Sequence, residues 1–274
     1  MMMRRRRMSQ ILLTRISGGK CYRTRPRVDS LPAVPGRKSD TLSGHGDLER
    51  RTHTPNEMIP LKDDNPTRTF ALVNWALIAL NVAVFFYQAS LPPHAAKAFL
   101  IANATVPMRI PAFLAGELGF KVAFYPIFTS MFLHGGLMHL LGNMLFLYVF
   151  GDNVEDYFGH AGYLIFYLFC GVGSGLIHSL FNLHSSLPAI GASGAISGVM
   201  GAYLILFPRA KVLMLFFIFL IPIPAVFVLG YWFVLQFLSG IGEFGAAATG
   251  GVAWWAHIGG FLMGMAVALV VKRD

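Results

Sequence analysis

The amino-acid sequence predicts an all-α membrane protein, a bundle of six transmembrane helices built around a short central fourth helix. Three observations carry this prediction. Of 274 residues, 55% are hydrophobic and 13% charged, against about 25% charged in a soluble domain, and the mean hydropathy is +0.58. The charge is gathered at the ends: of 22 Lys and Arg, nine lie in the first 28 residues, a stretch without Asp or Glu. Between Phe70 and Val271 the chain runs in apolar blocks broken by Gly, Pro and short polar stretches.

Residues 1–66 read as a basic tail, and residues 67–274 as the membrane domain. The tail is rich in Pro, Gly and Ser and short of apolar residues, a composition that predicts disorder rather than a basic face for nucleic acid, despite the net charge of +9. Its Arg-rich, acid-poor start resembles a mitochondrial presequence by composition. It also fits a cytoplasmic extension, and Met58-Ile59-Pro60-Leu61-Lys62 fits a translation start just ahead of the first span. Cys21 in the tail and Cys170 in an apolar run do not make a disulfide framework or a metal knuckle.

The first span runs from about Phe70 to Leu91, and the second from Leu137 to Phe150. The third covers Gly162 to Leu183, the fourth Ser193 to Phe207, and the sixth Trp254 to Val271. The fifth is ambiguous. Val212 to Ser239 is apolar throughout, about 42 Å as a helix against a hydrocarbon core of about 30 Å. Pro222 and Pro224 mark the start of the true helix, with Val212 to Ile221 as a membrane-surface or re-entrant lead-in. With the N-terminus inside, the inner loops carry Lys62, Arg68, Arg209, Lys211, Lys272 and Arg273, which places both termini in the cytoplasm. The long outer segment, Pro92 to Gly136, contains apolar runs at Ala98–Ile101 and Ile110–Leu114 and is predicted to lie half-immersed at the interface.

Ionisable and strongly polar groups are costly inside a bilayer, so the few present are functional candidates. His139 and Asn143 stand four apart, on one face of the second helix. Ser193 opens the fourth helix in Gly191-Ala192-Ser193-Gly194, and His257 lies near the start of the sixth in Ala256-His257-Ile258-Gly259-Gly260. Each of these helices enters from the outer side and bears its polar group early, so a nucleophile, a base and an amide donor meet at one depth. Acyl transfer requires that set. The fourth helix, at 15 residues, spans about 22 Å and stops about 8 Å short of the far surface, which sinks Ser193 into a wet cavity. Its free N-terminal N–H groups face that cavity. Ser193, Ser197 and Gly201, flanked by Gly194 and Gly198, face Gly260 and Gly264 as small-residue rows that let two helices approach. No Asp or Glu falls within the six spans, so the expectation is a Ser–His dyad without a third member.

This pattern resembles the rhomboid family of intramembrane serine proteases, in its bacterial six-helix form. The resemblance rests on Gly191-Ala192-Ser193-Gly194, Ala256-His257-Ile258-Gly259-Gly260 and His139-x-x-x-Asn143, and it covers about residues 70 to 271. It implies Ser193 as nucleophile, His257 as general base, and His139, Asn143 and the Ser193 amide as the oxyanion hole. It implies a site-shaping role for His134 and places Gly191 and Gly194 around the nucleophile. Gly151-Asp152-Asn153-Val154-Glu155 resembles the family's end of the second helix. Two departures stand out: Ser197 occupies a position where many members stack a Tyr under the histidine, and the first outer loop has Tyr125-Pro126 in place of a Trp-Arg pair.

Singly, each residue has a plainer reading. His139 can be an interhelical hydrogen-bonder, Asn143 helix glue, Ser193 packing and His178 structural, and Asn74 and Asn81 of the first helix read as interhelical hydrogen-bonders. Coincidence at one depth favours catalysis. The expected activity is cleavage of transmembrane segments of other membrane proteins near the outer face, in a bacterial inner membrane, without cofactor or metal. The alternative is an inactive relative that binds transmembrane segments as an adaptor. A transporter would need midplane charges or paired broken helices, and a zinc protease an HExxH that is absent.

Overall fold

A computed structural model describes residues 59–243 and 252–272. The greater part of the tail, Cys21, the alternative start at Met58, residues 244–251 and Arg273 lie outside the described residues. The fold is mostly helical. Helices α1 (Leu72–Ser90), α5 (Leu137–Phe158), α6 (His160–Phe181), α7 (Ser193–Leu206) and α9 (Trp254–Val271) assemble with α8 (Ala225–Glu243) into a bundle, and α2 (Pro93–Asn103), α3 (Arg109–Leu114) and α4 (Phe120–Thr129) occupy the segment between α1 and α5. That segment is helical through most of its length, and a 77° bend follows it before α5 begins.

Among the described residues, four helices, α1, α6, α8 and α9, are each long and apolar enough to cross a membrane. The bent pair Phe120–Phe132 and Leu137–Phe158 makes a fifth crossing if taken as one span, while α7 is apolar but only 14 residues long. The chain is an integral, multi-pass membrane protein.

The expectation of an all-α fold is corrected by a three-stranded antiparallel sheet, in the order β1 (Ile59–Asp63), β2 (Lys211–Phe216), β3 (Phe219–Pro224). The apolar run after Arg209 was too long for one helix because it folds back on itself. Val212 and Met214 alternate inward along β2, a two-residue spacing that hydropathy alone does not reveal in an apolar segment. Pro222 and Pro224 are accommodated because β3 is an edge strand, where a missing N–H costs no second ladder. The helix then starts at Ala225, directly after Pro224. Strand β1 lies in the stretch that composition assigns to the tail, yet it pairs with β2 from Ile59 to Asp63.

Helix α5 extends eight residues beyond the Phe150 expected from hydropathy, through Asp152, Glu155 and Asp156. The extension is functional in the fold. Ala71 provides no side-chain cap for α1, and the fully buried Glu155 carboxylate does so instead, accepting the N–H groups of Val73 (2.9 Å) and Asn74 (2.7 Å). Asn74 in turn donates to Leu147 O and accepts from Tyr163 OH, which ties α1 to α5 and α6. Gly151 is required there, since a methyl group would collide with Asn74 and the Tyr163 hydroxyl. Asn81, expected to bridge helices, donates back to Leu77 O within α1.

At the centre, α7 is almost wholly buried from Gly194 to Tyr203. It meets α9 backbone to backbone. A Cβ on Gly260 would strike the carbonyl of Gly194, one on Gly264 that of Gly198, and one on Gly201 that of Phe261. Small residues therefore set the separation of these two helices.

Candidate active site

Helices α7 and α9 run close enough for their first turns to share a hydrogen bond. Ser193 is the first residue of α7, and its Oγ lies 2.8 Å from Nε2 of His257, one turn into α9. The imidazole is buried at 9% exposure, and Ser193 is partly exposed. The other ring nitrogen, Nδ1, lies 2.7 Å from Oε1 of Gln236 on α8. A serine hydroxyl beside a ring nitrogen whose partner nitrogen is held by an acceptor is the arrangement that nucleophilic acyl transfer uses.

The backbone before Ser193 is shaped by Gly191. Its φ of 129° is one that L side chains rarely adopt. A Cβ there would press on the ring of His139, 2.9 Å from its Nε2, so the glycine allows the chain to pass directly beside that imidazole. The Gly191 N–H donates to Ser130 O (2.9 Å), and Ala189 pairs with Thr105, which fastens the loop before α7 to the segment before α5. Ala192 supplies no side-chain cap for α7, so its first N–H groups are left to the site.

His139 is partly exposed and accepts the Gly135 N–H at Nδ1 (3.4 Å), which leaves Nε2 as the protonated donor beside Gly191. Asn143, one turn further along α5, is buried and its Nδ2 has no hydrogen-bond partner. A buried amide donor without a protein acceptor is costly unless water, a ligand or a reaction intermediate completes it. His134 is 2% exposed, with its ring 5.2 Å from that of His139 and edge-on to it. Its backbone is clasped on both sides by Gln88 of α1, which donates to His134 O and accepts from His134 N, each at 3.2 Å. Gly194 has a packing role: a Cβ would collide with Ser174 of α6. Thus Ser193 and His257 are in direct contact, Gly191 and His139 adjoin them, Asn143 shares the His139 face, and His134 supports His139 from behind.

Sequence reasoning missed two residues. Gln88 and Gln236 are the polar groups that hold the site's backbone and its imidazole. Both stand in apolar helices, so the rule that intramembrane polar groups mark function singles them out. Ser197, at the position where the resemblance leads one to expect a Tyr, turns its hydroxyl to Ser193 O (2.6 Å) and offers no ring to His257. Trp232 of α8 (ring centroids 5.8 Å apart) and Trp254 (6.3 Å) flank the imidazole instead. The acidic residues of α5 end up at its C-terminal end, where Glu155 accepts from the start of α1, Asp156 from Thr69 and Asp152 from Asn153. His178 is bonded to Asn182 within its own helix end. Among the described residues, no group of three His, Cys, Asp or Glu side chains converges as metal ligands would.

Comparison with known proteins gives a consistent result. A family model described as the Rhomboid domain matches residues 121–274. The Saccharomyces cerevisiae protein named "Rhomboid protein 1, mitochondrial" is 32% identical over 154 residues, 54% of this chain and 42% of that protein. The Arabidopsis thaliana "RHOMBOID-like protein 6, mitochondrial" is 32% identical over 148 residues, 53% of this chain and 43% of the relative. The Arabidopsis "Rhomboid-like protein 11, chloroplastic" is 42% identical over 77 residues, 28% of this chain and 27% of the relative. The matches therefore span less than half of these relatives. Their organellar names lend no support to the bacterial inner membrane expected from the sequence.

Proposed function

The chain belongs to the rhomboid family, and from that premise we propose that it is an intramembrane serine endopeptidase working through a Ser193–His257 dyad. The observation that carries this reading is the 2.8 Å contact of Ser193 Oγ with His257 Nε2, made between two helices of an apolar bundle. Such a contact has no need to exist for packing alone, because the glycines of α7 and α9 already bring the backbones together. Nε2 takes the hydroxyl proton as Oγ attacks the scissile carbonyl. The carbonyl oxygen becomes an oxyanion, received by Asn143 Nδ2, the His139 ring N–H and the Ser193 amide. His257 returns the proton to the leaving amine, and water then hydrolyses the acyl-enzyme with the same base. Asn143 carries an amide that lacks an acceptor at rest, which is what a transient acceptor would leave behind.

The substrates are transmembrane segments of other membrane proteins, cleaved near the outer face at a bond with small side chains and helix-weakening residues beyond it. The domain is residues 67–274, crossing six times with the short α7 as its fourth crossing and both ends on the side of Arg209 and Lys211. The adaptor alternative has no observation in its favour, since Ser and His are both present and in contact. The test is cleavage of a model transmembrane substrate in detergent by wild type, Ser193→Ala and His257→Ala, with fluorophosphonate labelling of the serine. Cleavage by wild type that is lost in both variants is the expected result. Persistence in Ser193→Ala ends the proposal.

A further inference from the structure

Gln236 is 8% exposed and is a buried polar residue on the inner side of α8, in a line with Ala225, Leu229 and Gly240. The rest of the helix shows apolar side chains outward, among them Tyr231, Val234, Leu235, Phe237 and Leu238. An amide placed alone in such a helix is expensive unless its bonds matter. Its Oε1 meets His257 Nδ1 at 2.7 Å, while the opposite nitrogen meets Ser193.

We propose that Gln236 is a positioning residue for the proteolytic base: its carbonyl accepts the Nδ1–H of His257, holding the tautomer and ring plane in which Nε2 is free to take the Ser193 proton. The assignment rests on the protease reading above. A neutral imidazole carries one proton, on either nitrogen. Were it on Nε2, the ring could not accept from Ser193. An acceptor at Nδ1 removes that choice, which is the orienting task a buried carboxylate performs in three-membered sites. The expectation of a bare dyad followed from a search for Asp and Glu; an amide does the orienting part without bringing a charge into the bilayer. Trp232 stands one turn before Gln236 and flanks the same ring, so one face of α8 fixes both the rotation and the tautomer of the base. Ser197 contributes nothing to that ring, as its hydroxyl is turned to Ser193 O.

Gln236→Met preserves length and bulk and removes the acceptor. Expected is a fall in kcat of about 10- to 100-fold on a transmembrane substrate, the loss appropriate to a buried donor left without a partner. KM should stay within about twofold, and fluorophosphonate labelling of Ser193 should slow in parallel, because the interaction is used in the chemical step. Gln236→Glu, which again offers an acceptor at that reach, should recover most of the rate. Leu235→Ala, on the outward side of α8, should leave kcat unchanged. Should Gln236→Met not survive purification, Gln236→Asn withdraws the carbonyl by one methylene and carries the same expected loss. Wild-type cleavage and labelling in the acceptor-free variant, or a rise in KM alone, overturns the assignment and makes Gln236 a fastener between α8 and α9. A wild type that neither cleaves nor labels overturns the protease reading, and this one with it.

Discussion

Asn143 holds a donor with no protein acceptor, and that separates two roles a polar residue can have in a membrane helix. Helix glue contributes to stability through a bond present at rest; an oxyanion donor contributes only when the reaction supplies its acceptor. Its Nδ2 is buried and unpartnered, so Asn143→Ala should lower kcat by about 100- to 1,000-fold while the unfolding midpoint in detergent stays the same or rises. A falling midpoint with retained kcat would return Asn143 to packing. Ser193 and His257 were legible in the sequence because each sits at a helix start within a glycine-marked stretch, and helix starts are where hydropathy and glycine signals are sharpest. Gln88 and Gln236 were marked only as polar groups in apolar helices, with no role to read, since neither has a motif around it. Their roles depend on what faces them across the bundle, Gln88 on the His134 backbone and Gln236 on a ring nitrogen, and such pairings do not appear in a linear reading.

Among the elements, α7 and α9 form the pair on which the site depends, and their separation is set by glycines against carbonyl groups. A side chain can rotate away from an added methyl, but a backbone carbonyl cannot. Gly264→Ala should therefore displace α9 from α7 and cost about 1–3 kcal/mol, with fluorophosphonate labelling slowed as Oγ and Nε2 part. Gly230→Ala on α8, where a Cβ meets no atom within 4 Å, should be neutral or stabilising in the same thermal unfolding assay, and equal losses at both positions would refute the close-approach argument. The limits of α7 and α9 were readable from their flanking Pro, Gly and polar residues. The hairpin of β2 and β3 was not, because an apolar strand and an apolar helix look alike once every residue is hydrophobic. The extension of α5 was legible only in part. Hydropathy ends the span at Phe150 and the resemblance put Gly151–Glu155 at the end of the same helix, but neither shows that Glu155 is drawn into the bundle to cap the start of α1.

At the scale of the molecule, the bundle has two unlike ends. One gathers the first turns of α5, α7 and α9 around Ser193; the other gathers the sheet, the end of α5 and the base of α7. The topology proposed here puts them on opposite faces of the membrane. In a Cys21→Ser background, Lys97→Cys should react with an impermeant maleimide from outside, and Arg209→Cys only after permeabilisation. Reaction of both from one side would refute six crossings. The second end also carries a titration. Asp63 of β1 accepts from Tyr203 OH and from Asn153 Nδ2 (3.1 Å), so one carboxyl joins the sheet to α7 and α5. Burial is the largest influence on it, with Asp152 adding in the same direction, and its pKa is raised from 3.8 to about 6. A carboxyl that holds its proton more tightly in the folded state stabilises that state most at low pH. This contribution is complete below about pH 4 and is lost as the pH rises through about 6. Asp63→Asn keeps an oxygen for Tyr203 and cannot ionise. Its unfolding midpoint should exceed that of wild type at pH 7.5, and the difference should shrink toward zero near pH 4 in matched detergent. A variant less stable than wild type at pH 7.5 would mean that the ionised carboxylate is the form the fold prefers, with the bond from Tyr203 outweighing the cost of burying the charge.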